Sequence, residues 1–158
     1  MSQVNARPVI LALSNPTDHA ECTAEQAYTW SKGTAIYAAG VQFDPVHYEG
    51  QVFLPGQANN FYIFPAVGMA IYATRASRVT DAMFIEAAAA VADQVPPAML
   101  EQGLLYPPQS NILETEIQTA ARVARLVFDS GLARVARPPD MVEFSRGHVY
   151  RPEYPTLI

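Results

Sequence analysis

Hydrophobic positions change rhythm along this chain. Up to Phe53 they come as short unbroken runs, and after Pro65 they recur at helical spacing. Pro8-Val9-Ile10-Leu11-Ala12-Leu13 is a continuous apolar run that stops at Ser14-Asn15-Pro16. A run of this length, apolar on both faces, predicts a buried strand of a parallel sheet. Thr34 to Gly40 predicts a second such strand, ended by a glycine that permits positive φ or close approach of a ligand. Between them, Thr23-Ala24-Glu25-Gln26 has the hydroxyl and carboxamide spacing of a capping box, so a short helix is expected to start there and to stop at Gly33. Val46-His47-Tyr48 and Gln51-Val52-Phe53 flank Glu49-Gly50, the pattern of a small hairpin.

The second half reads as helices only. Pro65 suits a first helical turn, after which Val67, Ala70, Ile71 and Thr74 share one face, with Gly68 and Ala73 small enough for close packing. Thr80-Asp81 is expected to cap a further helix in which Met83 to Val95 is nearly all apolar, and such a helix needs burial on most sides. Pro96-Pro97 ends it, and a short turn runs from Pro97 to Gly103. Asn111 to Ser130 is the cleanest amphipathic pattern: Ile112, Ile117, Ala120, Ala121, Ala124 and Phe128 face one way, and Glu114, Gln118, Arg122 and Arg125 the other. Gly131 is its expected cap. From Pro138 the prolines 138, 139, 152 and 155 predict an extended tail lying over a partner surface.

With 158 residues, half of them hydrophobic, the chain can build a globular core. A formal charge of -5, with Lys32 the only lysine, leaves no basic stripe for a phosphate backbone, so nucleic acid is not an expected partner. No apolar run reaches the roughly 20 residues of a membrane helix, and no membrane partner is expected. The single cysteine, Cys22, excludes an internal disulfide and points to a reducing compartment. It precedes a helix start, where a thiol can ionise more easily. A small half-buried filler is the favoured reading. His47 reads as a surface group, and Arg134 and Arg137 as scattered surface cations before an anion site.

Candidate chemistry gathers at two junctions. Ser14 and Asn15 follow the first strand, where ligands collect in parallel sheets; the same residues also suit an Asx turn before Pro16. At the second junction Pro55-Gly56 leads into Gln57-Ala58-Asn59-Asn60 and then into the aromatic run Phe61-Tyr62-Ile63-Phe64. Adjacent carboxamides offer both acceptor and donor without charge, which suits orienting a carboxylate or an amide. They do not transfer protons.

Gly56-Gln57-Ala58-Asn59-Asn60-Phe61-Tyr62-Ile63-Phe64-Pro65 resembles a segment of malic enzymes, the metal- and NAD(P)-dependent enzymes that oxidatively decarboxylate malate to pyruvate. Ala12-Leu13-Ser14-Asn15-Pro16-Thr17, Ala20 to Gln26, Phe43-Asp44-Pro45-Val46, Arg78-Val79-Thr80-Asp81 and Gly103 to Pro108 resemble further blocks of that family in the same order. Where the family usually reads Ser-Gly-Ser-Pro, this chain has Ala39-Gly40-Val41-Gln42, two hydroxyls and a proline fewer.

The resemblance implies an α/β fold. Residues 1–60 would be the C-terminal part of a Rossmann-type NAD(P)-binding domain, 61–131 a helical segment packing against the substrate side, and 132–158 an extended tail. It implies cofactor contacts from Ser14, Asn15 and Asn59, and malate contacts from Asn15, Asn59 and Asn60. No residue here matches the family's catalytic Lys and Tyr or its Mg2+ or Mn2+ ligands, so no catalytic or metal residue is assigned. The chain alone is expected to be inactive and, with strand and helix faces awaiting upstream partners, prone to associate. The implied parent is a homo-oligomeric dimer or tetramer, cytoplasmic or in an organelle matrix. Malolactic enzyme, which converts malate to lactate and CO2, is the nearest enzymatic alternative; a non-catalytic nucleotide- or partner-binding domain is the alternative from another class.

Overall fold

A computed structural model of the chain describes residues 1–150. Their contacts divide the chain into two compact units. One comprises Met1–Asn60 with Ala92–Ser110, the other Phe61–Val91 with Asn111 onward.

The first unit holds a three-stranded parallel sheet, β1 (Val9–Ala12), β2 (Ile36–Ala39) and β5 (Gly56–Gln57), in the order β1-β2-β5. Ala12 lies beside Ala39, and Ala39 beside Gln57, so all three strands end in line. Helix α1 (Ala24–Trp30) joins β1 to β2 and starts from the expected capping box: Thr23 Oγ1 accepts from the Gln26 amide, and the Thr23 amide donates to Gln26 Oε1. Gly33, at φ 72°, lets the chain turn back toward β2. Ala24, Ala27 and Tyr28 of α1 pack on Ala12, Tyr37 and Ala39 of the sheet. The hairpin of β3 (Val46–Tyr48) and β4 (Gln51–Phe53) forms in the expected register, with positive φ at both Glu49 and Gly50. Phe53 stacks on Tyr28 with ring centroids 4.7 Å apart.

Two features depart from expectation. The strand β5 went unforeseen, because a two-residue strand carries no periodicity to read. Burial of β1 is one-sided: Ala12 is buried, whereas Val9, Leu11 and Leu13 point to the other face and are 44%, 45% and 50% exposed. Among the described residues β1 pairs only with β2, and nothing covers that face.

In the second unit α5 (Ile112–Asp129) packs against α2 (Phe64–Thr74) and α6 (Met141–Arg146). Its core joins Ala66, Val67 and Ala70 to Ala120, Val123, Ala124 and Val127, with Met83 and Ala87 from α3 (Asp81–Asp93) and Met141 from α6. Alanines bring the helix axes close, and the valines fill what remains. Gly131 (φ 67°) ends α5 as expected, with the Leu132 amide donating to the Val127 carbonyl. The short helix expected from Pro97 is α4 (Pro97–Glu101), in the first unit.

The tail expected to be extended contains α6. Asp140 accepts hydrogen bonds from the Val142 and Glu143 amides and starts the helix. Arg146 then forks onto both oxygens of Glu114 on α5, each bond 2.9 Å. The Arg146 hydrogen bonds, followed by that of Gln118, hold the Glu114 carboxyl below its usual range. Arg137 pairs with Asp129 at 2.6 Å, so it is not a vacant anion site. Pro152 and Pro155 lie outside the described residues.

Helix α3 is not buried on most sides either. Met83, Ala87, Ala90 and Val91 are buried, but Phe84 and Ile85 are exposed, Ile85 to 71%. Gly68, expected at a close contact, faces open space: a methyl added there would meet nothing within 4 Å, whereas Ala73 is buried. The apolar stripes on β1 and α3 should drive association of the chain alone. Light scattering is expected to show mass rising with concentration, and Leu11→Lys with Ile85→Lys should suppress it without lowering Tm. A wild-type monomer stable across dilution would contradict this.

Candidate functional site

Parallel strands that end in line deliver their following loops to one edge. Ser14 and Asn15 leave β1 there, Gly40 leaves β2, and Ala58 to Asn60 leave β5. The Gly40 amide donates to the Ala12 carbonyl (2.9 Å) and the Ala58 amide to the Ala39 carbonyl (2.8 Å), carrying the ladder one residue past the strands. Two strand spacings separate β1 from β5, so the two carboxamide-bearing loops start roughly 10 Å apart. Ser14, Asn15 and Asn60 are exposed and Asn59 is half-buried, which leaves this edge accessible.

Each loop is held by identifiable contacts. A methyl on Gly40 would lie 2.3 Å from the Leu13 carbonyl oxygen and 2.9 Å from its carbon, so only hydrogen fits where the ends of β1 and β2 converge. Ser14 donates its hydroxyl to Glu21 Oε1 at 2.8 Å and its amide to Oε2 at 3.3 Å. The Ser14 hydroxyl proton is thus committed, and its oxygen keeps acceptor capacity only. The Glu21 carboxyl is held low, first by a backbone amide of its own and then by these two Ser14 donors. The Asn15–Pro16 peptide bond is cis. Gln109 Nε2 donates to Gln57 Oε1 at the end of β5. The close approach that the sequence suggested at Gly40 is made by the Leu13 carbonyl and not by a ligand, and the Ser14–Glu21 pairing went unread. The only signal was a carboxylate seven positions from a serine, which no local periodicity marks.

Residues 1–128 match the protein family described as "Malic enzyme, NAD binding domain". The chain belongs to the malic enzyme family. It is 50% identical over 155 residues to the NADP-dependent malic enzyme of Populus trichocarpa and 51% identical to NADP-dependent malic enzyme 1 of Arabidopsis thaliana. Each alignment covers 98% of this chain but only 26% and 27% of the relative, so the chain spans about a quarter of these enzymes' length. In fold it is similar to the malic enzyme of Entamoeba histolytica (TM-score 0.69, 21% identity, 90% of this chain and 26% of that one) and to that of Pyrococcus horikoshii (TM-score 0.63, 24% identity, 89% and 28%). The α/β, Rossmann-type character expected from sequence is the fold these neighbours share with it.

Other candidate groups of this malic enzyme chain sit elsewhere or lack the chemistry. Burial, followed by the nearby Glu21 charge, pushes the Cys22 thiol up, away from the thiolate a nucleophile needs. His47 is exposed in β3 and borders an open cleft of about 400 Å3 with Thr23, Glu25 and Asp44. Two carboxylates with no lysine or arginine make that cleft unsuited to malate or a phosphate. Among the described residues no three His, Cys, Asp or Glu side chains are grouped as a metal ion would require, and no helix is long and apolar enough to cross a membrane.

The contact at Gly40 gives a test in which two Gly→Ala changes move stability in opposite directions. Gly40→Ala must part backbone from backbone and should cost about 1–3 kcal/mol, the range for overpacking. Gly68→Ala, inside α2 with open space around it, should gain about 0.5–1 kcal/mol. Urea unfolding of both variants checks the pair; equal Tm and midpoint for Gly40→Ala and wild type would show that the strand ends are not in close contact.

Proposed function

We propose that this chain forms the nicotinamide-side portion of an NADP-dependent malic enzyme, which converts malate to pyruvate and CO2 with reduction of NADP+. The observation that carries the proposal is that Asn15 and the Asn59-Asn60 pair, far apart in sequence, leave the same edge of one parallel sheet within a chain about half identical to enzymes of that name. NADP rather than NAD is favoured by the relatives' names.

The chain's own contribution is orientation. Carboxamide N–H groups from Asn59 or Asn60 would donate to a malate carboxylate, and a carboxamide oxygen from Asn15 or Asn59 would accept from the nicotinamide amide or ribose hydroxyl. Ser14 would add an acceptor oxygen toward the cofactor. Bound NADP+ supplies the hydride acceptor, and fixing malate C2 against it converts binding energy into rate. The family's metal has no fitting donor set among the described residues, so no step is derived through it. The general base is likewise proposed to lie in the three quarters of the enzyme that this chain does not span, as is the contact surface for subunit assembly.

Two outcomes follow. The 158-residue chain supplied with malate, Mn2+ and NADP+ should form no NADPH. Sustained metal-dependent turnover by rigorously purified chain would overturn the division of labour, and lactate instead of pyruvate as the product would favour malolactic chemistry.

In an enzyme made by replacing the matching stretch of the Populus trichocarpa relative with this chain, Asn59→Asp or Asn60→Asp puts an anion where a carboxylate binds and removes a donor. The loss should be on the order of 2–5 kcal/mol of transition-state stabilisation, roughly 30- to 5,000-fold in kcat/KM. Ala variants should lose less, about 1–3 kcal/mol. Tm and kcat/KM are read on the same samples; unchanged kcat/KM per folded enzyme in both Asp variants would remove the pair from the site.

A further inference from the structure

We propose that Glu21 is a positioning residue for the site, its carboxylate clamping the loop that presents Asn15 to the cofactor. The inference rests on the function proposed above and assigns a residue that contacts neither cofactor nor malate.

Three consecutive residues are fixed by three different elements. Glu21 receives both the hydroxyl and the amide of Ser14, at 2.8 and 3.3 Å. The carbonyl of Cys22 accepts a 2.8 Å hydrogen bond from the hydroxyl of Tyr37, a fully buried side chain of the central strand β2. Thr23 is locked in the capping box of α1. The segment from 21 to 23 is therefore a strut between the sheet core and the helix start, and its one side chain directed at the site loop is Glu21. Immediately before Ser14, the Leu13 carbonyl abuts Gly40. Leu13 and Ser14 are thus gripped from β2 and from the strut, which leaves Asn15 as the next residue projecting at the edge.

Chemistry favours a carboxylate for this task. The amide and hydroxyl donors of one residue, Ser14, need two acceptor oxygens, which Glu offers and Gln only half offers. Backbone donation and the two Ser14 donors hold the Glu21 carboxyl below its usual range, which favours the ionised form that accepts both bonds. Since misplacing an orienting group by about 1 Å can cost on the order of 100-fold in rate, a residue that only fixes the loop can carry a large kinetic effect.

The experiment has two arms. In the intact 158-residue chain, amide exchange followed by NMR should speed up about 10-fold or more at Ser14 in Glu21→Ala. The Gln26 and Ala27 amides, bonded to Thr23 in the helix start, should keep wild-type protection. In the chimeric enzyme, Glu21→Ala should lower kcat/KM for NADP+ by about 10- to 100-fold at unchanged Tm, with Glu21→Gln recovering part of it. Asp18→Ala, an exposed acid in the same loop, should match wild type. Unchanged Ser14 exchange, or a kinetic loss that only tracks Tm, would overturn the clamp. If Asn15→Ala impairs the chimera while Glu21→Ala does not, the positioning role falls and the proposed function stands; if Asn15→Ala is also silent, the proposed function falls with it.

Discussion

The ends of β1 and β2 meet at a contact that only a hydrogen atom can fill, where Gly40 lies against the Leu13 carbonyl. Backbone on both sides leaves no rotamer to yield, so the geometry of the sheet edge is set by covalent dimensions more than by side-chain packing. From that fixed edge the ladder continues through Gly40 to Ala12 and Ala58 to Ala39. The loops carrying Ser14, Asn15 and the Asn59-Asn60 pair inherit their positions from it. The carboxamide site proposed here would depend on this rigidity, because its value would lie in where the donors point.

The two units solve burial differently. In the first, aromatic side chains do the filling: Tyr28 and Tyr37 are buried between α1 and the sheet, and burial holds both phenols above their usual range, Tyr28 to about 12. Each hydroxyl then finds a carbonyl, Leu54 for Tyr28 and Cys22 for Tyr37, so the polar ends of large core residues also tie down loops. In the second, α5 is surrounded by alanines and valines on α2 and by α6, and polar forks such as Glu114–Arg146 close the rim. A half-exposed fork of this kind fixes geometry more than it adds stability.

Membership of the malic enzyme family and a span of about a quarter of its curated members' length give a physical context for the bare apolar stripes. Val9, Leu11 and Leu13 alternate along one face of an edge strand, and Phe84 and Ile85 line one face of α3. Apolar residues at strand or helix spacing are expected to meet other apolar residues. The same chain brings its carboxamide-bearing loops to one sheet edge, while its described residues group neither metal ligands nor a covering for β1.

Local chemistry was legible from the sequence alone. The capping box at Thr23, the Glu49-Gly50 hairpin, the stop at Gly131 and the span of α5 depend on interactions within a few residues, which spacing encodes directly. Ordered motifs also made the family recognisable, and Asn15, Asn59 and Asn60 could be named before their places were known. What spans the chain was decided by tertiary structure: β5 exists only because β2 offers it an edge, and α6 forms because Asp140 caps it and Glu114, 32 positions from Arg146, receives it. The faces of β1 and α3 expected to await partners are indeed exposed, although the burial their patterns call for is only one-sided, since an apolar pattern states a demand for cover and not whether cover is present. No spacing in the sequence links Glu21 to Ser14, and only the fold brings its two oxygens to the two donors of Ser14.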